Sequence, residues 1–150
     1  MKIEKVEEKD LQEILELQKL AYKSEAEIYN DFTIPPMIQT LDEIKSDFLN
    51  QTYLKTTLNG KIIGSVRGYI ENGICFIGRL IVHPDLHNQG IGTMLISKIE
   101  TIFKNVGRFE IFTGHRSQKN LYLYEKLGYR RFKSEKINKN LSMIYLEKRL

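Results

Sequence analysis

The sequence predicts an α+β domain around a mixed, mostly antiparallel sheet. Three observations carry that reading. Element signals follow the order β-α-α-β-β-β-α-β-α-β-β along 150 residues. Asn59-Gly60, between two strand-like runs, is the dipeptide of a type I′ hairpin, which joins antiparallel neighbours. Gly73–Thr113 reads as strand, helix, strand, and a crossover of that length lets its two strands run parallel.

Each element has its own signal. Lys2–Val6 alternates as a first strand. Asp10–Lys23 carries Leu11, Ile14, Leu15, Gln18 and Ala21 at helical spacing, with Leu17 and Leu20 widening the stripe. Residues 24–40 are less regular and hold Pro35-Pro36, which a helix interior excludes. Thr40-Leu41-Asp42-Glu43 matches a capping box and starts a second helix to about Asn50. Tyr53–Leu58, Lys61–Ile70 and Gly73–Val82 read as strands, with Glu71-Asn72-Gly73 turning between the last two. Ile91, Met94, Leu95, Ile99, Ile102 and Phe103 recur with the period of an amphipathic helix. Arg108–Thr113 is the next strand. Gln118–Leu127 is a helix ended by Gly128, a good residue just past a helix end. Arg130–Ile137 and Leu141–Lys148 finish as a hairpin. No repeat, low-complexity tract or linker interrupts the chain, so residues 1–150 are expected to form one domain.

Composition narrows the class. Hydrophobic residues make up 41%, and no apolar run approaches the ~20 residues of a membrane span. Met1-Lys2-Ile3-Glu4-Lys5 has no signal-peptide core, so a cytoplasmic location is expected, with no membrane partner. Cys75 is the single cysteine, which rules out an intrachain disulfide. The formal net charge is +4, with basic and acidic residues interleaved. The densest basic stretch, Arg130 to Lys139, reads as a solvated hairpin surface rather than a nucleic-acid groove. A mildly positive chain also tolerates a polyanionic small molecule. His83 and His87 flank Pro84 in a loop and His115 is remote in sequence, so no metal site is expected.

The most informative stretch is residues 76–95. An apolar strand runs into a polar turn, His87-Asn88-Gln89-Gly90-Ile91-Gly92, and a helix begins at once. A helix start leaves backbone N–H groups without intrahelical partners, and the macrodipole adds positive charge there. Such a turn suits a phosphate or pyrophosphate. A P-loop would need Lys followed by Ser or Thr after its last glycine, but Thr93-Met94 follows. A dinucleotide fingerprint would need a third small residue where Leu95 stands.

The turn instead resembles the acyl-coenzyme A loop of the GNAT superfamily of N-acetyltransferases. Its usual form is Arg or Gln, two residues, Gly, one residue, then Gly or Ala. His87 departs from that form at the first position. The flanking Val82-His83-Pro84 and Met94-Leu95 are also similar to the family. A second stretch, residues 117–129, resembles the family's other signature: Ser117 and Asn120 precede Leu121-Tyr122-Leu123-Tyr124-Glu125-Lys126, and Gly128-Tyr129 closes it. The resemblance covers about residues 60–135.

The resemblance implies a GNAT-like three-layer fold in which the two strands of the crossover splay apart and acetyl-coenzyme A (acetyl-CoA) enters the cleft. It implies cofactor contacts from the turn, His87, Asn88, Gln89, Gly90, Ile91, Gly92 and Thr93. Leu80, Ile81 and Val82 would pair with the pantetheine arm. Asn120 would contact that arm as well. Ser117 stands where the commonest family spacing has Asn. Tyr124 would protonate the leaving thiolate; taken alone, without the two motifs, it reads rather as a core aromatic beside Leu123 and Leu127. A thiol pKa of about 8.5 and a tyrosine pKa of about 10 leave that transfer weakly driven. Glu25 and Glu27, with Asp31, lie where the family lines its acceptor side, and Glu71 stands beside a hairpin turn. These carboxylates would attract a cationic amine or simply be solvated. Arg67 and Arg79 sit on strands expected to be partly buried. They face either something acidic or sheet-edge ion pairs.

The implied activity is transfer of an acetyl group from acetyl-CoA to a primary amine by direct attack on the thioester. A non-catalytic acyl-CoA-binding sensor or structural module of the same fold is the alternative. The acceptor, a small molecule or a peptide amine, is not named by the sequence. Neither are the general base, a preference for longer acyl groups and the oligomeric state, although homodimers are frequent in this fold.

Overall fold

The computed structural model describes residues 1–150. Seven strands form one sheet in the order β1-β2-β3-β4-β5-β7-β6. They are β1 (Ile3–Lys5), β2 (Thr52–Leu58), β3 (Lys61–Glu71), β4 (Ile74–Val82), β5 (Arg108–Gly114), β6 (Arg130–Lys136) and β7 (Ser142–Arg149). The helices are α1 (Leu11–Tyr29), α2 (Pro35–Ile38), α3 (Leu41–Asn50), α4 (Ile91–Ile102) and α5 (Gln118–Lys126). Every strand pair is antiparallel except β4–β5. No helix is long and apolar enough to cross a membrane.

The helices take both faces of the sheet. Strand alternation sends neighbouring side chains to opposite sides. Val66 of β3 packs into a cluster with Leu95, Ile96 and Ile99 of α4 and Leu121 of α5. Its neighbour Arg67 turns the other way and reaches Asp47 of α3. A second cluster on that side joins Leu11, Ile14, Leu15 and Leu17 of α1 to Ile44 of α3, Tyr53, Ile62 and Ile81. The result is three layers, as the resemblance implied.

Several expectations are refined. α1 runs six residues past Lys23, to Tyr29, so Glu25 and Glu27 are helical rather than in an irregular segment. The apolar side continues through Ala26 and Tyr29, both buried, and Asn30 ends the helix in the left-handed conformation. Pro35-Pro36 sits at the start of the short α2, where a missing N–H costs nothing. Leu20 faces solvent. Met94 is at the solvent margin, and Ile96 takes its expected place in the buried stripe of α4. Gln18 is buried but satisfied: its amide donates to Pro36 C=O at 3.0 Å and to Gln39 Oε1 at 2.9 Å, tying α1 to the α2 region. The capping box of α3 is present, with Thr40 and Glu43 each accepting from the other's backbone N–H.

The feature that builds a site is the failure of β4 and β5 to stay together. They pair only at Ile74–Arg108, Cys75–Phe109 and Phe76–Glu110. β4 then runs on to Val82 and β5 to Gly114 with no further pairing between them. β3 still pairs with β4 out to Val82, and β7 with β5 out to Gly114. A wedge therefore opens between two otherwise intact half-sheets, with polar backbone on its edges.

Candidate active site

The wedge is bounded by the end of β4, the turn into α4, the start of α5 and the C-terminal half of α1. Leu80, Ile81 and Val82 form its β4 edge. From Ile77 onward the side of β4 facing β5 has no strand partner. Backbone N–H and C=O groups are obligatory hydrogen-bonding groups, so an extended amide chain laid along this edge would satisfy them.

The turn from β4 to α4 carries Asn88 and Gly90 in the left-handed region, with φ of 64° and 77°. His87, Asn88, Gln89 and Gly90 are exposed. Gly90 is the residue before α4, and no side chain caps the helix. The N–H of Met94 bonds to Gly90 C=O at 3.1 Å, so the helical ladder starts at residue 94. The earlier N–H groups, of Ile91, Gly92 and Thr93, are left for a ligand or solvent. The contrast with the doubly capped α3 is direct. The two glycines act differently. An added Cβ at Gly90 would meet nothing, so this position serves its positive φ. At Gly92 the Cβ would press on Leu123 at 3.2 Å and Leu80 at 3.6 Å, so this glycine lets α4 approach α5 and β4.

On the α5 side, Tyr124 is 4% exposed and its hydroxyl has no hydrogen-bond partner within the chain. Burial pushes its pKa above the ordinary tyrosine range, and the nearby Tyr22 and Glu25 push the same way. Asn120 donates to Thr113 Oγ1 at 3.2 Å and to Glu25 Oε1 at 3.3 Å. Ser117 is buried and donates to Glu25 Oε2 at 2.5 Å, while the Tyr29 hydroxyl lies 2.7 Å from its Oγ. The Tyr29 hydroxyl also accepts from the Arg116 N–H at 3.0 Å. Glu25 is thus held by two residues of the second motif and clamps α1 onto the start of α5.

The structure brings the turn, the β4 edge, Asn120, Tyr124 and Glu25 together. Ser117 is present but turned toward α1, its hydroxyl committed to Glu25 and Tyr29. Glu27 is exposed on α1. Glu71 closes β3 at the other end of β4, where β4 and β5 are still paired, and does not join the site. Arg67 is an internal ion-pair partner: it donates to Asp47 at 3.0 Å and to the Tyr53 hydroxyl, with a longer contact to Gln39 at 3.4 Å. Tyr22 and Tyr29 were missed by sequence reasoning. Their spacing with Ala26, every three to four residues, was the available signal.

Comparison with known proteins bears on this geometry. The model of the acetyltransferase (GNAT) family matches residues 11–129. The chain belongs to that family. Among relatives of this GNAT chain, the UPF0157 protein YqkA of Bacillus subtilis (strain 168) is 27% identical over 129 residues, covering 86% of the chain and 37% of that protein. Acetyltransferase ECA0875 of Pectobacterium atrosepticum is 32% identical over 79 residues, covering 51% of the chain and 56% of that protein. The chain therefore spans between a third and three fifths of these relatives. The paiA N-acetyltransferase of Thermoplasma acidophilum, solved in complex with coenzyme A, superposes with a TM-score of 0.80 over 100% of both chains at 20% identity. That likeness is one of fold.

Proposed function

We propose that this GNAT chain is an acetyl-CoA-dependent N-acetyltransferase acting on a primary amine. The observation that carries the reading is the wedge itself: an unpaired β4 edge leads to an uncapped helix start with an open Gly90. The residues fit the cosubstrate in three places. The free N–H groups of Ile91, Gly92 and Thr93, with the backbone of residues 88–90, suit a pyrophosphate. The edge at Leu80–Val82 suits the amides of pantetheine. Asn120 borders the same space.

The chemistry is addition and elimination at the thioester carbon. The neutral amine nitrogen attacks the carbonyl carbon, and the C=O electron pair moves to oxygen. A β4 edge N–H stabilises that oxyanion; such a donor is typically worth ~3 kcal/mol. The oxyanion pair then re-forms the C=O bond as the C–S bond breaks, the sulfur takes a proton from Tyr124, and the proton lost by the amine nitrogen to solvent or a base is replaced on Tyr124 from solvent. The raised pKa of Tyr124 keeps its proton in place until the thiolate appears. Desolvation of a thiolate left beside it raises that thiolate's basicity in the same direction. Glu25 receives two hydrogen bonds and acts in positioning Ser117 and Asn120.

The test is release of free thiol from acetyl-CoA over a panel of amines, with product mass. An amine-dependent rate supports the reading. Coenzyme A binding without turnover of any amine would instead support a binding module of the same fold.

A further inference from the structure

Arg79 does not fit the sheet it belongs to. Cys75 and Ile77 of β4 face the α4 cluster, so plain alternation would send residue 79 into the same apolar core. A bulge prevents this. The β3–β4 register runs from Arg67–Gly78 to Ser65–Ile81, which leaves one extra residue on β4. Arg79 takes a φ of 48°, a left-handed conformation unusual for a side chain of its size. Leu80 then packs on the α4 side, and Arg79 turns to the other face. Bulges of this kind re-aim side chains beside functional sites.

What Arg79 meets there is a cavity of about 390 Å³, lined also by Pro35, Gln39, Glu43, Ser46 and Asp47. Both carboxylates of that cavity are already engaged. Asp47 accepts from Arg67 at 3.0 Å and from Gln39 at 2.7 Å. Glu43 accepts from the Thr40 N–H at 2.8 Å at the start of α3. Arg79 has no ion pair, and its Nε is buried without any hydrogen-bond partner. A buried guanidinium nitrogen left without a partner is costly, and the planar fork of the group, half-buried at the cavity, suits a carboxylate. Arg79 directly precedes Leu80 on β4, so the cavity it lines adjoins the strand edge where acetyl transfer is proposed.

We infer that the acceptor amine carries a carboxylate, and that Arg79 is the specificity residue that binds it. This rests on the acetyl-transfer reading above and names the substrate class for the same site. Arg79 is the one cation of the cavity lining, and the two carboxylates there, Glu43 and Asp47, are bound to other groups. A carboxylate on Arg79 anchors the molecule at the point where β4 leaves β5, with its amine directed along the β4 edge toward the thioester.

Matched acceptors test it: amino acids, their amides and the corresponding decarboxylated amines, with kcat/KM measured for each. The acids should exceed the amides by at least about 30-fold, as expected for a desolvated charge pair. Arg79→Gln should lower kcat/KM for acids by about 10²-fold and leave that for amides within a few-fold, while Arg79→Lys recovers part of the loss. Amides or polyamines performing as well as acids in the unaltered protein would overturn the inference, and this arm needs no variant to fold. So would an equal loss on acids and amides in Arg79→Gln. A thermal-shift arm separates the two proposals. If no amine turns over, acetyl transfer fails as a reading. Succinate protecting the unaltered protein but not Arg79→Gln, with succinamide inert, would still support the carboxylate site. No succinate-specific protection alongside no turnover would end both.

Discussion

Gly114 leaves open the space that Tyr29 fills. A Cβ added at residue 114 would overlap the Tyr29 hydroxyl and the ring carbon that bears it. This contact seats the end of α1 against the β5–α5 connection, where Arg116, Ser117 and Glu25 are joined. Gly114→Ala must displace Tyr29 or bend β5, and overpacking of this sort costs about 1–3 kcal/mol. Thermal denaturation should register the loss. Gly107→Ala, where the new Cβ meets nothing, should stay within about 0.5 kcal/mol. Equal effects at the two positions would mean that Tyr29 is not held there in solution.

Coenzyme A should raise the melting temperature, because a ligand that binds only the folded state stabilises it by mass action. At a hundredfold excess over Kd the gain is about 2.7 kcal/mol. Gly90→Glu should abolish that gain. The substitution places a bulky anion at the mouth of the uncapped helix, and the left-handed φ of 77° adds a backbone cost of roughly 1–2 kcal/mol. A folded Gly90→Glu protein with an undiminished shift would locate the phosphates elsewhere.

Tyr124→Phe keeps the ring in its cluster and removes the hydroxyl. If Tyr124 protonates the thiolate, kcat should fall by roughly 10²-fold. KM for acetyl-CoA should change little, since the proton moves only on the way to the transition state. No protein group loses a hydrogen bond, so stability should change by no more than ~1 kcal/mol. Full activity would make Tyr124 a packing residue, and the proton donor would be water or another side chain.

Acid should weaken the fold partly through Asp10. Burial opposes its charge, but the 2.7 Å bond from Lys55, the Glu7 N–H at 2.9 Å and the charge of Lys9 outweigh it, so its pKa lies below the ordinary range. A depressed carboxylate contributes stability that is complete above its unfolded value, about 3.9 for Asp, and is lost as pH falls through the folded value. Urea denaturation at a series of pH values should therefore show this contribution disappearing below about pH 4. Asp10→Asn should be less stable at pH 7 and should flatten that acid limb. An identical acid profile in the variant would assign the loss to other carboxylates.

Local chemistry wrote much of this protein into its sequence. The Asn59-Gly60 hairpin, the Thr40–Glu43 capping box, the stripe of α4 and the two glycines of the turn depend on neighbours a few residues away, and each was legible. The candidate site was legible where it follows from a motif: the turn at residues 87–93, Asn120 and Tyr124. Tertiary structure decided the rest, because it depends on which groups meet across the sheet. Glu25 and Glu71 look alike as carboxylates near turns. The sheet puts one against Ser117 and Asn120 and the other at the closed end of β4. Arg67 and Arg79 look alike as charges on adjacent strands. Register alone pairs the first with Asp47, and a one-residue bulge, invisible to periodicity, turns the second away from the α4 core and leaves it unpaired beside an open cavity.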